Sequence, residues 1–385
     1  MPFEENDMVN NKDQIEADDF ESEDIDQDDE SFVRDEPFDP KKVDVSITTP
    51  NLSALITRLE HEEIDLLPDF QRSGDLWTKQ AQSRLIESIL IRLPIPAFYF
   101  DAIDDDKWQV VDGLQRLSAI NNFVLKKTLK LTNLEFLTEY EGYSYDDLPR
   151  PLTRRIEEFQ TSVYLIKPGT PLEMKYSLFN RINTGGLKLT PQEIRHAMSQ
   201  SANSGAASKF LSRIVNNDIF IQVVGRKNNR MVQQELVLRH MAFMIFGLEE
   251  YRSSLPRFLD TAMIKLSEMT DANLRELEGS FLVSMEIADE LFGEDAFRKS
   301  LVGGKKLVNK PLFEALSVSL ARLSYDDQEL LLINKDQFQD EFRNLLMDDM
   351  FNETISRSTS STTHVTNRFE RIEGFIHDFI SEQLV

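Results

Sequence analysis

Hydrophobic and polar positions follow two different periods along this chain. Between residues 41 and 168, short apolar runs alternate with amphipathic stretches, which predicts strands and helices packed into one α/β domain. From residue 169 to residue 385, apolar residues recur mainly at spacings of three and four, which predicts a second, all-helical domain. The predicted fold class is therefore α+β. Residues 1–40 show neither period and are predicted to be a disordered tail.

The first half of the chain predicts a sheet flanked by helices. Ala97–Phe100 and Trp108–Val111 should pair as a hairpin, because a polar loop joins them. This loop carries Asp104-Asp105-Asp106, but three consecutive acidic side chains point in different directions, so a solvated turn is a simpler interpretation than a metal site. Residues 128–148 predict short strands around a turn at Glu141-Gly142. Further strands are expected at Val43–Thr48, Ile64–Pro68 and Ser162–Ile166, with helices from about Asn51, Thr78 and residue 151.

The second half predicts a bundle of helices. A helix over 171–182 should stop at Asn183-Thr184-Gly185-Gly186, since glycine readily adopts the left-handed conformation that ends many helices. Thr190 then caps the next helix, with Pro191 at its first position and Glu193 three residues after the cap. His240 falls on an apolar face and is predicted to be a core histidine. The remaining helices are expected near 204–217, 231–247, 255–268, 272–292, 310–323, 335–350 and 364–381.

The junction between the second hairpin strand and the next helix carries the most informative polar residues. Asp112 and Gly113 end the strand, and Gln115 and Arg116 lie on the first helical turn, away from the apolar face that contains Leu117. Glycine permits a sharp turn and a close approach to a ligand, and the free amides of a new helix can bind an anion. A carboxylate and a guanidinium beside them suit a phosphate and its metal. The structural alternative is that Asp112 caps the helix and Arg116 is solvated.

Composition and charge narrow the class of protein. The 385 residues include no cysteine, which excludes disulfides and zinc–thiolate sites. No stretch approaches the roughly 18 apolar residues of a membrane span, and no basic-plus-apolar signal opens the chain, so we expect a soluble cytoplasmic protein. Residues 1–40 contain 17 acidic residues against Lys12 and Arg34, so this segment carries −15 of the net charge of −24. The other residues carry −9, which leaves room for a local basic groove.

Other motifs accompany this junction in a fixed order. Upstream stand Leu67-Pro68-Asp69-Phe70-Gln71-Arg72 and Leu76-Trp77, and downstream stand Phe179-Asn180-Arg181-Ile182-Asn183-Thr184-Gly185-Gly186 and Leu189-Thr190-Pro191-Gln192-Glu193-Ile194-Arg195. In this order and at these separations the chain resembles the N-terminal domain of the GmrS/GmrD-type modification-dependent restriction enzymes. The resemblance runs from about residue 50 to the C-terminus, where Thr363–Phe369 is similar to the family's closing segment. That domain is similar in turn to the ParB and sulfiredoxin fold, which implies a ParB/sulfiredoxin-like α/β domain here.

The resemblance implies a centre that binds and hydrolyses a nucleoside triphosphate (NTP). The family's motif places Asp112, Gly113, Gln115 and Arg116 in this centre, together with Gln71 and Arg72. We expect the two arginines to clamp the phosphates and offset the charge that develops during transfer. Asp112 would hold Mg²⁺ or orient the attacking water, and Gln115 would position that water or the nucleotide. One carboxylate binds magnesium weakly, but Mg²⁺ normally takes only one or two carboxylates plus substrate phosphates.

One position departs from the family's pattern, which usually has glutamine where this chain has Leu114. Leu114 lies one turn before Leu117, so it can simply extend the apolar face of the helix. If the missing amide touches the nucleotide in the family, hydrolysis could be impaired while binding survives.

Two more groups of residues are candidates for binding. Asn180, Arg181 and Asn183 would close over the nucleotide from the helical side, with Gly185 and Gly186 letting the backbone approach; the structural alternative is capping and loop hydrogen bonding. The basic loop before the 231–247 helix would contact DNA phosphates or would be a solvated turn; it contains Arg226, Lys227 and Arg230.

Nuclease chemistry has no support in the sequence. The five histidines are scattered, and His61-Glu62-Glu63 is not a zinc-binding HExxH pattern. Family members that cut DNA usually carry a further C-terminal His-based nuclease domain, and nothing here resembles it. We therefore expect a separate nuclease or defence-system partner.

The function that we predict is an NTP-binding sensor or regulatory module, with or without hydrolysis, in a restriction or phage-defence system that acts on DNA. Oligomers are compatible with this prediction. The alternative is a non-catalytic regulator that binds DNA or another protein, or an antagonist whose acidic tail mimics DNA.

The acidic tail gives a first testable prediction. If residues 1–40 mimic phosphates and occupy a basic groove until DNA displaces them, deleting them should tighten DNA binding at low salt, as measured by fluorescence anisotropy. Unchanged affinity would instead support a tail that only adds solubility.

Overall fold

A five-stranded mixed sheet forms the N-terminal part of the computed structural model. The structure describes residues 20–21, 44–66, 77–102, 106–182, 190–201, 205–225, 231–252 and 254–384. The strands are β1 (Val45–Thr48), β2 (Ile64–Asp65), β3 (Phe98–Ala102), β4 (Trp108–Asp112) and β5 (Val163–Ile166), in the spatial order β1-β5-β3-β4-β2. β1 is antiparallel to β5 and β3 to β4, whereas β5 is parallel to β3 and β2 to β4. The predicted hairpin and the mixed α+β class are confirmed.

Helices cover both faces of this sheet. On one face, α1 (Leu52–Glu60), α2 (Lys79–Leu90), α3 (Leu114–Ile120) and α4 (Arg150–Glu157) bury a cluster with Phe98, Phe100 and Val110. On the other face, α5 (Leu172–Ile182) and α6 (Pro191–Ser201) bury a smaller cluster with Val111 and Ile166. Burial on both faces explains why β3 and β4 read as continuous apolar runs rather than as clean alternations.

The prediction of short strands over 128–148 is wrong. The stretch instead contains two short 3₁₀ turns, Thr138–Tyr140 and Tyr145–Asp147, and the predicted turn is present, with φ of +83° at Gly142. In a sheet, the backbone N–H groups of this stretch would donate to the carbonyls of a neighbouring strand. Here the N–H groups of Phe136 and Leu137 donate to the buried Glu87 carboxylate instead, at 2.7 and 2.8 Å. Because a side chain satisfies these donors, no strand partner is needed.

The C-terminal half is helical, as predicted. Its helices are α7 (Ala206–Val215), α8 (Asp218–Val224), α9 (Val232–Phe246), α10 (Leu255–Glu268), α11 (Asp271–Phe292), α12 (Lys310–Ala321), α13 (Tyr325–Ile333), α14 (Lys335–Met347), α15 (Asp349–Thr354) and α16 (Thr362–Gln383). The sequence did not indicate three short helices: α8, α13 and α15. They share one large apolar core with the other helices. No helix in the described part of the chain is long and apolar enough to cross a membrane.

Two local predictions in the helical half are confirmed. Thr190 and Glu193 form the reciprocal capping box at the start of α6: the Thr190 N–H donates to the Glu193 carboxylate at 2.7 Å, and the Glu193 N–H donates to the Thr190 hydroxyl at 3.2 Å. His240 is fully buried, 2.9 Å from the Ser317 hydroxyl, with its ring edge-on to Phe281. Burial lowers the pKa of His240 to about 3, so this histidine is a neutral core residue.

Phe20 and Glu21 are the described part of the acidic segment 1–40. Phe20 forms a parallel bridge with Val308, and the Glu21 carboxylate accepts a hydrogen bond from Asn309 at 2.6 Å and pairs with Lys299 at 3.2 Å. These two residues therefore contact the helical half; the disorder predicted for residues 1–40 as a whole stays a prediction.

The Glu87 carboxylate gives a prediction for stability. Burial raises its pKa, but the N–H groups of Glu135, Leu137 and Phe136 outweigh this effect and hold the pKa below its usual value. We expect Glu87→Gln to lower the free energy of unfolding by about 2–3 kcal/mol, because buried donors lose a charged acceptor.

A depressed carboxyl pKa contributes stability above the unfolded pKa and loses it as the pH falls through the folded pKa. The Glu87→Gln defect, measured by urea unfolding, should therefore be complete at pH 7 and shrink as the pH falls below the ordinary glutamate pKa of 4.5. The matched control is Glu135→Gln, whose carboxylate pairs with Arg84 at 3.2 Å on the surface and should cost less than about 0.5 kcal/mol. Equal losses in the two variants would contradict the assignment.

Candidate functional site

The end of β4 is distorted where the candidate residues lie. The register with β3 shifts between Tyr99 and Phe100, so that Val111 and Asp112 together face Tyr99. Such a bulge inserts one residue into a strand and redirects the following side chain. Here it moves Asp112 out of the regular alternation at the point where the sheet ends, and 22% of the Asp112 side chain stays exposed.

Gly113 makes the turn from β4 into α3. Its φ is +103°, a conformation that favours glycine, and its carbonyl accepts the first helical hydrogen bond from Leu117 at 2.9 Å. A Cβ at this position would lie 2.5 Å from the nearest carbon of the Phe98 ring, which is closer than Cβ atoms approach other atoms in proteins. Both the backbone angle and the space therefore require glycine here.

Arg116 is buried under this turn rather than solvated. One guanidinium nitrogen, Nη1, donates to the carbonyls of Pro96 and Ala97, the latter at 3.1 Å, and Nη2 donates to the Asp112 carboxylate at 2.5 Å. The guanidinium carbon lies 4.9 Å from the centre of the Phe98 ring. These contacts account for three of the five N–H groups of the guanidinium and fix its plane.

Burial and pairing oppose each other at the Asp112–Arg116 pair. Burial raises the pKa of Asp112, and the Arg116 charge and the Gly113 N–H lower it; burial likewise lowers the pKa of Arg116, and the Asp112 charge raises it. The pairing therefore offsets part of the cost of burying each charge. A carboxylate oriented in this way can accept a proton from water or contact a cation, so the arrangement suits general-base or metal chemistry.

Gln115 connects the junction to the segment that follows the upstream motif. Its side-chain carbonyl accepts a hydrogen bond from the Trp77 N–H at 2.9 Å, and the Trp77 carbonyl accepts one from Gln82 at 2.7 Å. Gln82 in turn accepts a hydrogen bond from Asn122 at 3.1 Å. The start of α2 and the start of α3 are thus held together, with Trp77 beside the junction.

Leu114 extends the apolar face of α3, as its spacing predicted, because it packs against the cluster under the sheet.

Arg195, from the downstream motif, is buried and links α6 to α10. It donates to Asp260 at 2.7 Å and to the Pro256 carbonyl at 3.0 Å. The α5–α6 layer is also tied to the sheet, since the Lys175 ammonium lies 2.6 Å from the buried Asp101 carboxylate.

Several predicted site residues lie outside the part of the chain that the structure describes, or have side chains that it does not describe. Asn180 and Arg181 lie in the last turn of α5, on the layer that covers the Tyr99 face, but their side chains are not described. Other candidates lie outside the described residues: Gln71, Arg72, Asn183, Gly185, Gly186, Arg226, Lys227 and Arg230. The convergence of these residues with Arg116 stays a prediction.

Within the described ranges, no cluster of three or more His, Asp or Glu side chains is arranged to hold a metal ion. Asp112 is the one carboxylate of the junction, and it already pairs with Arg116. The donor set therefore fits a Mg²⁺ ion only when the phosphates of a ligand supply most of its ligands.

Sequence reasoning missed two aromatic residues beside the junction. Tyr99 and Tyr164 stack on neighbouring strands, with ring centres 4.7 Å apart and planes 13° apart. The available signal was the alternation in Phe98-Tyr99-Phe100 and Val163-Tyr164-Leu165, which places the tyrosines on the opposite face from their apolar neighbours.

The turn at Gly113 gives the next prediction. Gly113→Ala should destabilise the protein by about 1–3 kcal/mol more than Gly142→Ala, because both substitutions strain a positive φ but only the first drives Cβ into a ring. Gly142 is a matched control, since a Cβ added there would have no neighbour within 4 Å. Equal shifts in the denaturation midpoint would show that the packing against Phe98 does not matter.

Comparison with known proteins places the central part of the chain in a family. No curated protein and no solved structure shows a significant match to the chain. Residues 54–199 match the family model described as GmrSD restriction endonuclease, N-terminal domain. The matched segment contains the Asp112–Arg116 junction, the upstream motif and the capping box of α6, which are the features that carried the resemblance. The resemblance to the N-terminal domain of GmrSD restriction endonucleases is therefore confirmed for residues 54–199.

Proposed function

We propose that this chain is an NTP-binding module of a restriction or phage-defence system, and that the triphosphate binds at the Asp112–Gly113–Arg116 corner. The observation that carries the proposal is the ion pair of the partly exposed Asp112 with the buried Arg116, held at a strand bulge beside a glycine that admits close approach. Groups with perturbed pKa values cluster at functional sites, so such a pair at the end of a strand favours a binding site.

Each residue has a role in this proposal. Arg116 positions Asp112 and offers its remaining N–H groups to the phosphates, where Arg72 would join it. Asp112 orients the attacking water or supplies one ligand to Mg²⁺, and Gln115, fixed by Trp77, positions the nucleotide. Residues at the end of α5 and in the following loop would close the site from the opposite side: Asn180, Arg181, Asn183, Gly185 and Gly186.

The surrounding fold supports this arrangement. A mixed sheet with helices on both faces is compatible with the ParB/sulfiredoxin-like fold that we propose for the matched segment. α6 is fastened to α10 through Arg195 and Asp260, so the layer that covers the sheet is continuous with the helical half. We propose that the helical half contacts DNA or a separate nuclease, with Arg226, Lys227 and Arg230 as candidate phosphate contacts.

A nucleotide-dependent switch without turnover is the second candidate. Leu114 occupies the position where the resembled family usually has glutamine, and its side chain is packed against the core. No amide is therefore available at this position to contact a nucleotide or a water. This observation favours nucleotide binding without hydrolysis.

The proposal predicts that the purified chain binds at least one of ATP, GTP, CTP and UTP in the presence of Mg²⁺. If it hydrolyses the nucleotide, Asp112→Asn should lower phosphate release by about 100-fold or more, since the general base is lost while the shape is kept. Asp146→Asn, which removes the surface partner of Lys127, is the matched control and should leave both activities unchanged.

Binding affinities from calorimetry and phosphate release from a coupled assay separate the outcomes. Binding without release would support the switch. A chain that binds none of the four nucleotides, or an Asp112→Asn variant equal to the wild type in both assays, would overturn the proposal.

A further inference from the structure

Four residues of one sheet face lie in a row that starts at the proposed phosphate site. The strand registers pair Asp112 with Tyr99, Tyr99 with Tyr164, and Tyr164 with Ile47. Paired residues on neighbouring strands project to the same face of a sheet. The row therefore runs from the carboxylate across two tyrosines to the edge strand β1.

The far end of this row is open to solvent. Ile47 is 64% exposed, although both faces of the sheet are buried further along β3 and β4. Tyr99 packs against the cluster under α5 and α6, and Tyr164 lies one strand further out, half-buried, between Tyr99 and Ile47. The α5–α6 layer thus covers the middle of the sheet, and at its border the partly buried rings of Tyr99 and Tyr164 form an aromatic ledge.

The ledge is electrostatically part of the site. Burial raises the pKa of Tyr99, with further contributions from the neighbouring Tyr164 and from the negative charge of Asp112. The charge of the Asp112 carboxylate therefore acts on the Tyr99 hydroxyl. Strands are about 4.8 Å apart, so Tyr164 stands about 10 Å from Asp112 across the sheet. A ribose together with part of the triphosphate chain can bridge a span of that size.

We propose that the aromatic ledge of Tyr99 and Tyr164 is the surface on which the base of the bound nucleotide stacks. This inference rests on the proposed function, since it assumes that the phosphates occupy the Asp112–Gly113 corner. A tyrosine ring stacks on any base, and its hydroxyl adds a hydrogen-bonding group at the edge of the ring. The ligand class is therefore a nucleotide rather than a free polyphosphate, and stacking provides affinity without strict choice of base.

A cross-strand aromatic pair can also serve only to stabilise a sheet. Two observations favour the binding role. The pair lies in the same row as the buried charge pair of the site, and its outer member stands at the end of the sheet face that stays open. A purely structural pair would gain more if both rings were fully removed from water, whereas Tyr99 and Tyr164 are both only partly buried.

The test compares NTP with inorganic tripolyphosphate, both with Mg²⁺, because the two ligands share phosphates and differ in the nucleoside. The variant Tyr164→Leu should bind the NTP about tenfold or more weakly and tripolyphosphate as the wild type does, while Tyr164→Phe keeps both affinities. Tyr140→Leu, which removes one ring of the edge-to-face Tyr140–Tyr143 pair in the 3₁₀ segment, is the matched control and should change neither.

A fluorescent 2-aminopurine riboside triphosphate gives a readout that a structural role would not move. Its emission should be quenched on binding to the wild type and to Tyr164→Phe, and not on binding to Tyr164→Leu. If both ligands bind and Tyr164→Leu loses neither NTP affinity nor quenching, the ledge is overturned while the phosphate site stands. If neither ligand binds the wild type, the phosphate site and the ledge are both overturned.

Discussion

The guanidinium of Arg116 ties three parts of the chain to one point. It donates hydrogen bonds to the carbonyls that precede β3 and to the carboxylate that ends β4, and it packs over the ring of Phe98. The backbone of Arg116 itself belongs to α3. A buried cation without partners is costly, so none of these neighbours can move far without leaving a charge uncompensated. The hairpin, the turn at Gly113 and the direction of α3 all depend on this contact.

The same contact explains why the candidate site is rigid and only partly exposed. Asp112 is held by Arg116 from the first turn of the following helix, and the bulge in β4 pairs Asp112 with Tyr99 of β3. Gln115 fixes the start of α2 through Trp77, so the segment after the upstream motif cannot drift from the junction. Preorganised groups of this kind bind a charged ligand without reorganising first, which is how electrostatic stabilisation becomes effective.

Local features of the site could be predicted from the sequence, and contacts between distant residues could not. A strand, a glycine and an apolar period of three and four were enough to indicate the β4–α3 junction, and three residues were enough for the capping box at Thr190. The burial of Arg116 was missed because its partners, Pro96 and Ala97, lie some twenty residues away. The bulge and the Tyr99–Tyr164 pair depend on strand register, which no local pattern fixes. The strands expected over 128–148 failed for a similar reason, since the carboxylate that replaces them comes from α2.

Hydrogen–deuterium exchange with and without NTP and Mg²⁺ tests the central claim most directly, because it locates the ligand without relying on turnover. We predict slower exchange of the amides at residues 112–117 and 77–82 and in α5 when nucleotide is present, with unchanged exchange in α12 (Lys310–Ala321). Protection confined to the helical half, or no protection at residues 112–117 at saturating nucleotide, would contradict the claim.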